Sequence, residues 1–141
     1  MTAADRLNNR LFTTLLRLGI ATPGLYLLTV RGRRSGQLHA TPVLVISQGP
    51  QRWLVAPYGA VNWVRNARAV GQVTLSRGRR SETVTVRELG PQESAPVLQA
   101  YARRVRVARP YFDATPTSPL SAFAAEAARH PVFRIETLPP V

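Results

Sequence analysis

Five short stretches with β-like character follow one another closely: Leu25 to Arg31, Leu38 to Ser47, Arg52 to Pro57, Gln72 to Arg77 and Glu82 to Glu88. Most are separated only by turn signals, at Gly32 to Gly36, at Gln48-Gly49-Pro50-Gln51 and at Arg77-Gly78-Arg79-Arg80. A parallel pair needs a long crossover, so strands joined this tightly must run antiparallel. The exception is Ala60 to Ala69, which reads as a helix inserted between the third and fourth strands, with Trp63, Ala67 and Val70 on one side. After Gly90-Pro91 the spacing turns helical from about Glu93 to Val107, with Val97, Leu98, Tyr101 and Val105 as the apolar stripe. A loop with three prolines, Pro110 to Pro119, leads to a helix from about Ser118 to Arg129, and Val132 to Thr137 supplies a last strand. The expectation is one α+β domain over 1–141, mainly β: a small antiparallel barrel with helices over its openings and one edge.

Ahead of the first strand, Leu7, Leu11, Phe12, Leu15, Leu16, Leu18 and Ile20 recur near helical spacing among Arg6, Arg10 and Arg17. A helix within residues 1–20 with this pattern either caps a core or lies on a membrane surface, because both uses produce the same period. No apolar run reaches the roughly 20 residues of a membrane span, and no signal-peptide pattern is present. The expected location is cytoplasmic, with peripheral membrane contact through that helix as the variant.

Composition removes several chemistries. With no cysteine among 141 residues, disulfides, thiolate nucleophiles and cysteine-ligated metals are excluded. The two histidines, His39 and His130, have no acidic cluster beside them in the sequence, so no metal site is expected. The formal charge is +12, from 19 basic residues that are all arginine against 7 acidic ones. Such a field attracts polyanions: nucleic acid, anionic lipid or a phosphorylated cofactor.

Gly32-Arg33-Arg34-Ser35-Gly36 has the parts of an anion-binding turn. Its glycines permit tight backbone geometry, Ser35 offers a hydroxyl, and the two guanidinium forks match phosphate or carboxylate oxygens. The alternative is a solvated hairpin tip, and Gly78-Arg79-Arg80-Ser81 has nearly the same composition, which leaves open which hairpin is the site. The inserted helix carries Asn62, Trp63, Arg65 and Asn66, and its N-terminal amides favour an anion. Trp63 reads equally as a core anchor or a ligand contact. Tyr58 and Gly59 fall at the strand-to-helix turn, where loop residues often meet ligands. Tyr101 reads as core, whereas Tyr111 and Phe112 lie in the proline-bounded loop, where a phenol could line a pocket and donate a proton. His39 reads as a satisfied histidine, and no Ser-His-Asp order or carboxylate pair supports hydrolysis.

The run from Leu27 to Gly36, then Thr41-Pro42, Leu54-Val55-Ala56 and Asn62-Trp63-Val64-Arg65-Asn66-Ala67-Arg68-Ala69, resembles the deazaflavin-dependent nitroreductase family, typical of mycobacteria and related actinobacteria. The resemblance covers roughly residues 25 to 88. It implies a split β-barrel that binds coenzyme F420, a deazaflavin carrying a phosphate and an oligoglutamate tail, and passes hydride to quinones, nitroaromatics or other activated acceptors. By the same resemblance Arg33, Arg34, Ser35 and Gly36 hold the phosphate or acidic tail. Thr41 and Pro42 line the ring pocket, Ala56, Pro57, Tyr58 and Gly59 form the loop beside the ring, and Asn62, Trp63 and Asn66 belong to the helix that approaches the cofactor. Tyr111, with Tyr58, is the implied proton donor. The chain departs from the family pattern at His39 and at Pro57-Tyr58. FMN is the alternative cofactor, and a non-catalytic protein holding a flavin, deazaflavin or tetrapyrrole is the alternative function. A nucleic-acid module is disfavoured because the central strands are aliphatic and lack a stacking platform. Relatives of this size act as monomers or homodimers, and both remain open.

Overall fold

A computed structural model of the chain describes residues 24–137. The expected N-terminal helix, the membrane contact assigned to it, and the Pro139-Pro140 tail lie outside the described residues. The strands are β1 (Leu25–Arg31), β2 (Leu38–Gln48), β3 (Gln51–Val55), β4 (Gln72–Arg77), β5 (Arg80–Glu88) and β6 (Val132–Thr137). They close into an antiparallel barrel in the order β1-β2-β3-β6-β5-β4. Among the described residues the α-helices are α1 (Asn62–Val70), α2 (Pro91–Arg104) and α3 (Leu120–Glu126), with 3-10 turns at Arg106–Tyr111 and Ala127–Arg129. None of them is long and apolar enough to cross a membrane.

Strand alternation fills the barrel. Leu28, Val30, Val43, Val45, Leu54, Leu75, Val84 and Phe133 point inward, and fully burying such a side chain contributes about 1.5–3 kcal/mol. β1 pairs with both β2 and β4, so the barrel has no free edge for a helix to cover. α2 and α3 instead pack on the outer face, where Ile46, Trp53, Val55 and Val132 meet Ala95, Leu98, Tyr101 and Phe123. Burial on both faces explains why Val43-Leu44-Val45-Ile46 reads as a continuous apolar run.

α1 sits against one end of the barrel and buries Val64, Asn66 and Ala67. Val70, expected on the same side, is exposed instead. At about 100° per residue Val70 still falls between Asn66 and Ala67 on that face, so its exposure comes from its place as the last residue of α1, next to Gly71. Gly71 stops the helix at φ +78°, donating its N–H to the Ala67 carbonyl.

Antiparallel registers fix which turns share an end. The Gly32–Gly36 turn follows Arg31, whereas β4 runs so that Ser76 faces Leu27. The Arg77–Arg80 hairpin therefore lies at the opposite end, with the Arg77 guanidinium 5.9 Å from the centre of the Tyr26 ring. One further feature positions the site. β2 pairs with β3 only from Val45 to Gln48, while its first half, Leu38 to Leu44, pairs with β1 alone. Pro42, which has no N–H to give, stands in that half-paired stretch. The two strands separate there, and the gap is a cleft.

Candidate active-site cleft

The cleft has a volume of about 720 Å3 and is bordered by β2 from His39 to Leu44. The turn residues Gly32, Arg33, Arg34 and Ser35 close one end, and the loop Ala56-Pro57-Tyr58 with Val61, Asn62, Trp63 and Asn66 forms the facing wall. Leu25, Leu44, Val55 and Tyr101 line the other end. Thus Arg33, Arg34, Ser35, Thr41, Pro42, Ala56, Pro57, Tyr58, Asn62, Trp63 and Asn66 are brought to one cavity. Gly36, Gly59 and Tyr111 are not on its lining. Gly36 (φ +73°) and Gly59 (φ +91°) shape its turns, and Tyr111 stands at the rim with its ring edge-on to Tyr58, centroids 4.5 Å apart.

The basic turn is held before any ligand arrives. Gly32 donates to the Gln37 carbonyl at 2.7 Å and Gly36 to the Gly32 carbonyl at 3.0 Å. Arg31 donates to the Gly36 carbonyl at 2.6 Å, and the Ser35 hydroxyl accepts from the Gln37 N–H at 3.2 Å. Gly32 has a different reason to be glycine: a Cβ there would lie 2.9 Å from His39 Nε2 and 3.0 Å from Ser35 Oγ.

The second tie crosses from α1. Asn66 Oδ1 accepts from the Arg33 N–H at 3.1 Å and from its guanidinium at 2.8 Å. Asn66 is only 4 % exposed, and its side-chain NH2 makes no hydrogen bond among the described residues. Arg34 makes no such bond either, so its guanidinium and amide are available to an anion. Asn62 and Trp63, opening α1, have amides without an intrahelical acceptor. Trp63 serves both of its readings: it packs on Phe133 with centroids 5.8 Å apart and also lines the cleft.

Electrostatically this end is one-sided. Among the described residues no aspartate or glutamate lines the cleft. Every described acidic residue is engaged elsewhere: Glu82 with Arg52, Glu88 with Arg68, Glu93 and Glu136 with Arg87, Asp113 with Arg129, and Glu126 with His130.

Two parts of the site escaped the sequence reading. Tyr101, read as core, is 5 % exposed yet lines the cleft. Burial, with the neighbouring Tyr58 adding a smaller effect, pushes its phenol up to about 12. The other is a buried tie behind the Tyr58 loop. His130 bonds the Pro57 carbonyl through Nδ1 at 2.9 Å and Glu126 through Nε2 at 2.7 Å, and its ring stacks on Phe112 at 4.0 Å. The Glu126 carboxylate also accepts the N–H groups of Asp113 and Ala114. The i, i+4 spacing of Glu126 and His130 was the available signal, but nothing in the sequence pointed it at Pro57.

A family model for F420H(2)-dependent quinone reductase matches residues 6–118. The chain belongs to that family. It is a deazaflavin-dependent oxidoreductase whose cofactor is coenzyme F420 and whose acceptor class is the quinones. No curated protein matches the sequence. Among solved structures, one described as a domain-swapped dimer is 19 % identical with a TM-score of 0.60, the match covering 96 % of this chain and 100 % of that one. An F420-H2 dependent reductase is 22 % identical (TM-score 0.54; 81 % and 95 % covered). A FAD-binding protein from Mesorhizobium loti is 14 % identical (TM-score 0.51; 99 % and 91 % covered). At these identities the three structures speak for the fold, which they share over most of the chain.

The cleft of this F420-dependent reductase suits such a cofactor on its own chemistry. An uncompensated Arg34 and a buried, unpartnered Asn66 NH2 fit an anionic portion. Apolar walls at Pro42, Val43, Leu44 and Val55 fit a flat ring.

Proposed function

We propose that this reductase holds F420 with its phosphate and acidic tail at the Gly32–Gly36 turn and its ring between Thr41-Pro42 and the Ala56–Gly59 loop. A quinone enters past Tyr58 and Tyr111, and nitroaromatics of similar size are the second acceptor class. The observation that carries this reading is the polarity of the cleft: free donors at one end, no carboxylate on its lining among the described residues, and an apolar stretch of β2 between.

Reduced F420, when bound, supplies the hydride. The protein's residues supply binding and orientation. Arg34 and the Arg34 and Ser35 amides take anionic oxygens, while Asn66 fixes Arg33 so that the turn pays no ordering cost on binding. Pro42, Val55 and Trp63 exclude water from the ring. Tyr58 and Tyr111, half-exposed at the rim, offer hydroxyls to an acceptor oxygen and exchange protons with solvent. The likeness to a domain-swapped dimer makes a homodimer the assembly to test first.

The test is binding of oxidised F420, followed by its fluorescence, for the wild-type protein and an Arg34→Ala, Ser35→Ala double variant, with FMN in parallel. Tight F420 binding lost in the variant, together with oxidation of reduced F420 by a naphthoquinone, is expected. FMN binding in preference to F420, or a variant that binds as well as the wild type, refutes the placement.

A further inference from the structure

A buried hydroxyl normally has a hydrogen-bond partner, because leaving it unpaired costs roughly 1–3 kcal/mol. Tyr101 breaks that rule. It is 95 % removed from solvent by its 5 % exposure, it borders the cleft, and its hydroxyl makes no hydrogen bond among the described residues. Its ring is fixed by the packed layer outside the barrel, with the Phe112 centroid 6.2 Å away. It therefore cannot swing out to water as Tyr58 and Tyr111 can.

We infer that Tyr101 is a ligand-binding residue whose hydroxyl donates a hydrogen bond to a ring carbonyl oxygen at the Leu25–Leu44–Val55 end of the cleft. Several observations converge on an acceptor of that kind. The cleft lining beside Tyr101 at this end is aliphatic, at Leu25, Leu44 and Val55, with the Arg104 guanidinium close by over Gly24, so the ligand there presents an apolar face to the wall and an acceptor oxygen to the hydroxyl. The phenol keeps its proton at any ordinary pH, being pushed up to about 12, so it acts as a donor rather than as a source of protons. The Arg34 turn lies at the far end of the cleft: from His39 to Leu44 the strand advances about 16 Å, which separates recognition of the anion from recognition of the carbonyl. The inference rests on the proposed F420 reading, under which two ligands carry such an oxygen: the deazaflavin ring and the quinone.

Tyr101→Phe separates these sources and avoids dependence on turnover. Three quantities are measured for wild type and variant: the Kd of oxidised F420 by its fluorescence, the Kd of menadione by quenching of tryptophan fluorescence, and the melting temperature. Removing an unpaired hydroxyl leaves the melting temperature unchanged or raised, whereas a merely structural tyrosine with a hidden partner lowers it. An approximately ten-fold weakening is expected in one ligand arm, the size of one well-made hydrogen bond. Weakening of F420 alone assigns the cofactor carbonyl, and weakening of menadione alone assigns the acceptor. Unchanged Kd values in both arms, with the wild type still binding F420, overturn the role of Tyr101 and leave the cofactor reading standing. A wild type that binds neither probe overturns both.

Discussion

Glu126→Ala is expected to be the most destabilising single change near the site, although Glu126 touches no ligand-facing surface. Its carboxylate accepts the Asp113 N–H at 3.1 Å, the Ala114 N–H at 2.8 Å and the His130 ring at 2.7 Å, with the side chain only 4 % exposed. Truncation strands two backbone donors and one imidazole nitrogen. At about 1–3 kcal/mol per buried group left unpaired, and allowing for solvent reaching the exposed Asp113, the loss is about 3–5 kcal/mol, close to that of breaking a buried ion pair. Glu126→Gln keeps the shape and one good acceptor but turns an NH2 toward a donor, and should cost about half as much. Urea unfolding followed by the fluorescence of Trp53 and Trp63 gives both values. His130→Phe, which keeps the stack on Phe112, completes a cycle whose coupling energy with Glu126→Ala should exceed about 1 kcal/mol. A Glu126→Ala loss below about 1 kcal/mol, or additivity within error, would refute the reasoning that this carboxylate organises the loop.

Other outcomes follow from the same geometry. Asn66→Ala frees the Arg33 guanidinium and strands its N–H, which should lower stability by about 2–3 kcal/mol and weaken F420 binding further than the stability loss explains, as read by calorimetry of both. Gly36→Ala places a side chain at φ +73° with open space around it, so it should cost only the backbone strain of about 1–2 kcal/mol by denaturant titration. Gly32→Ala instead displaces His39 and Ser35 and should reduce F420 affinity more than stability. Tyr101 is an acid whose folded value is raised from 10.0 to about 12. Its contribution to stability is present in full below about pH 10 and is lost as pH rises toward 12, by up to about 3 kcal/mol. Alkaline unfolding of Tyr101→Phe should lack that component.

The barrel was legible because its evidence is local. Turn residues and apolar alternation name strands and force antiparallel pairing, and Gln72 to Arg77 needs nothing more. The basic turn and the Trp63 helix were legible for a similar reason, since residues that share a cleft wall here are also close in sequence. What was hidden depends on register and closure. The equivalence of the two arginine hairpins in composition dissolves only once β4 is seen to run against β1. Asn66 reaching Arg33 spans 33 positions, and His130 reaching Pro57 spans 73. Tyr101 fits an apolar helical stripe as well as any core tyrosine, and its unpaired hydroxyl is a property of three-dimensional surroundings alone. Helix ends were also hidden: α2 stops at Arg104, where Val105 turns extended while its N–H still reaches the Tyr101 carbonyl, a stop that the apolar spacing through Val105 did not disclose.

The arginine hairpin at Gly78-Arg79, which contributes no residue to the cleft lining, is a natural handle. The chain contains neither cysteine nor lysine, so a single Arg79→Cys or Arg79→Lys change would create one uniquely addressable thiol or side-chain amine at the end of the barrel opposite the Gly32–Gly36 turn. A dye or a surface linker fixed there would leave the mouth of the cleft open to its surroundings, and a population of such molecules would be tethered in one common orientation.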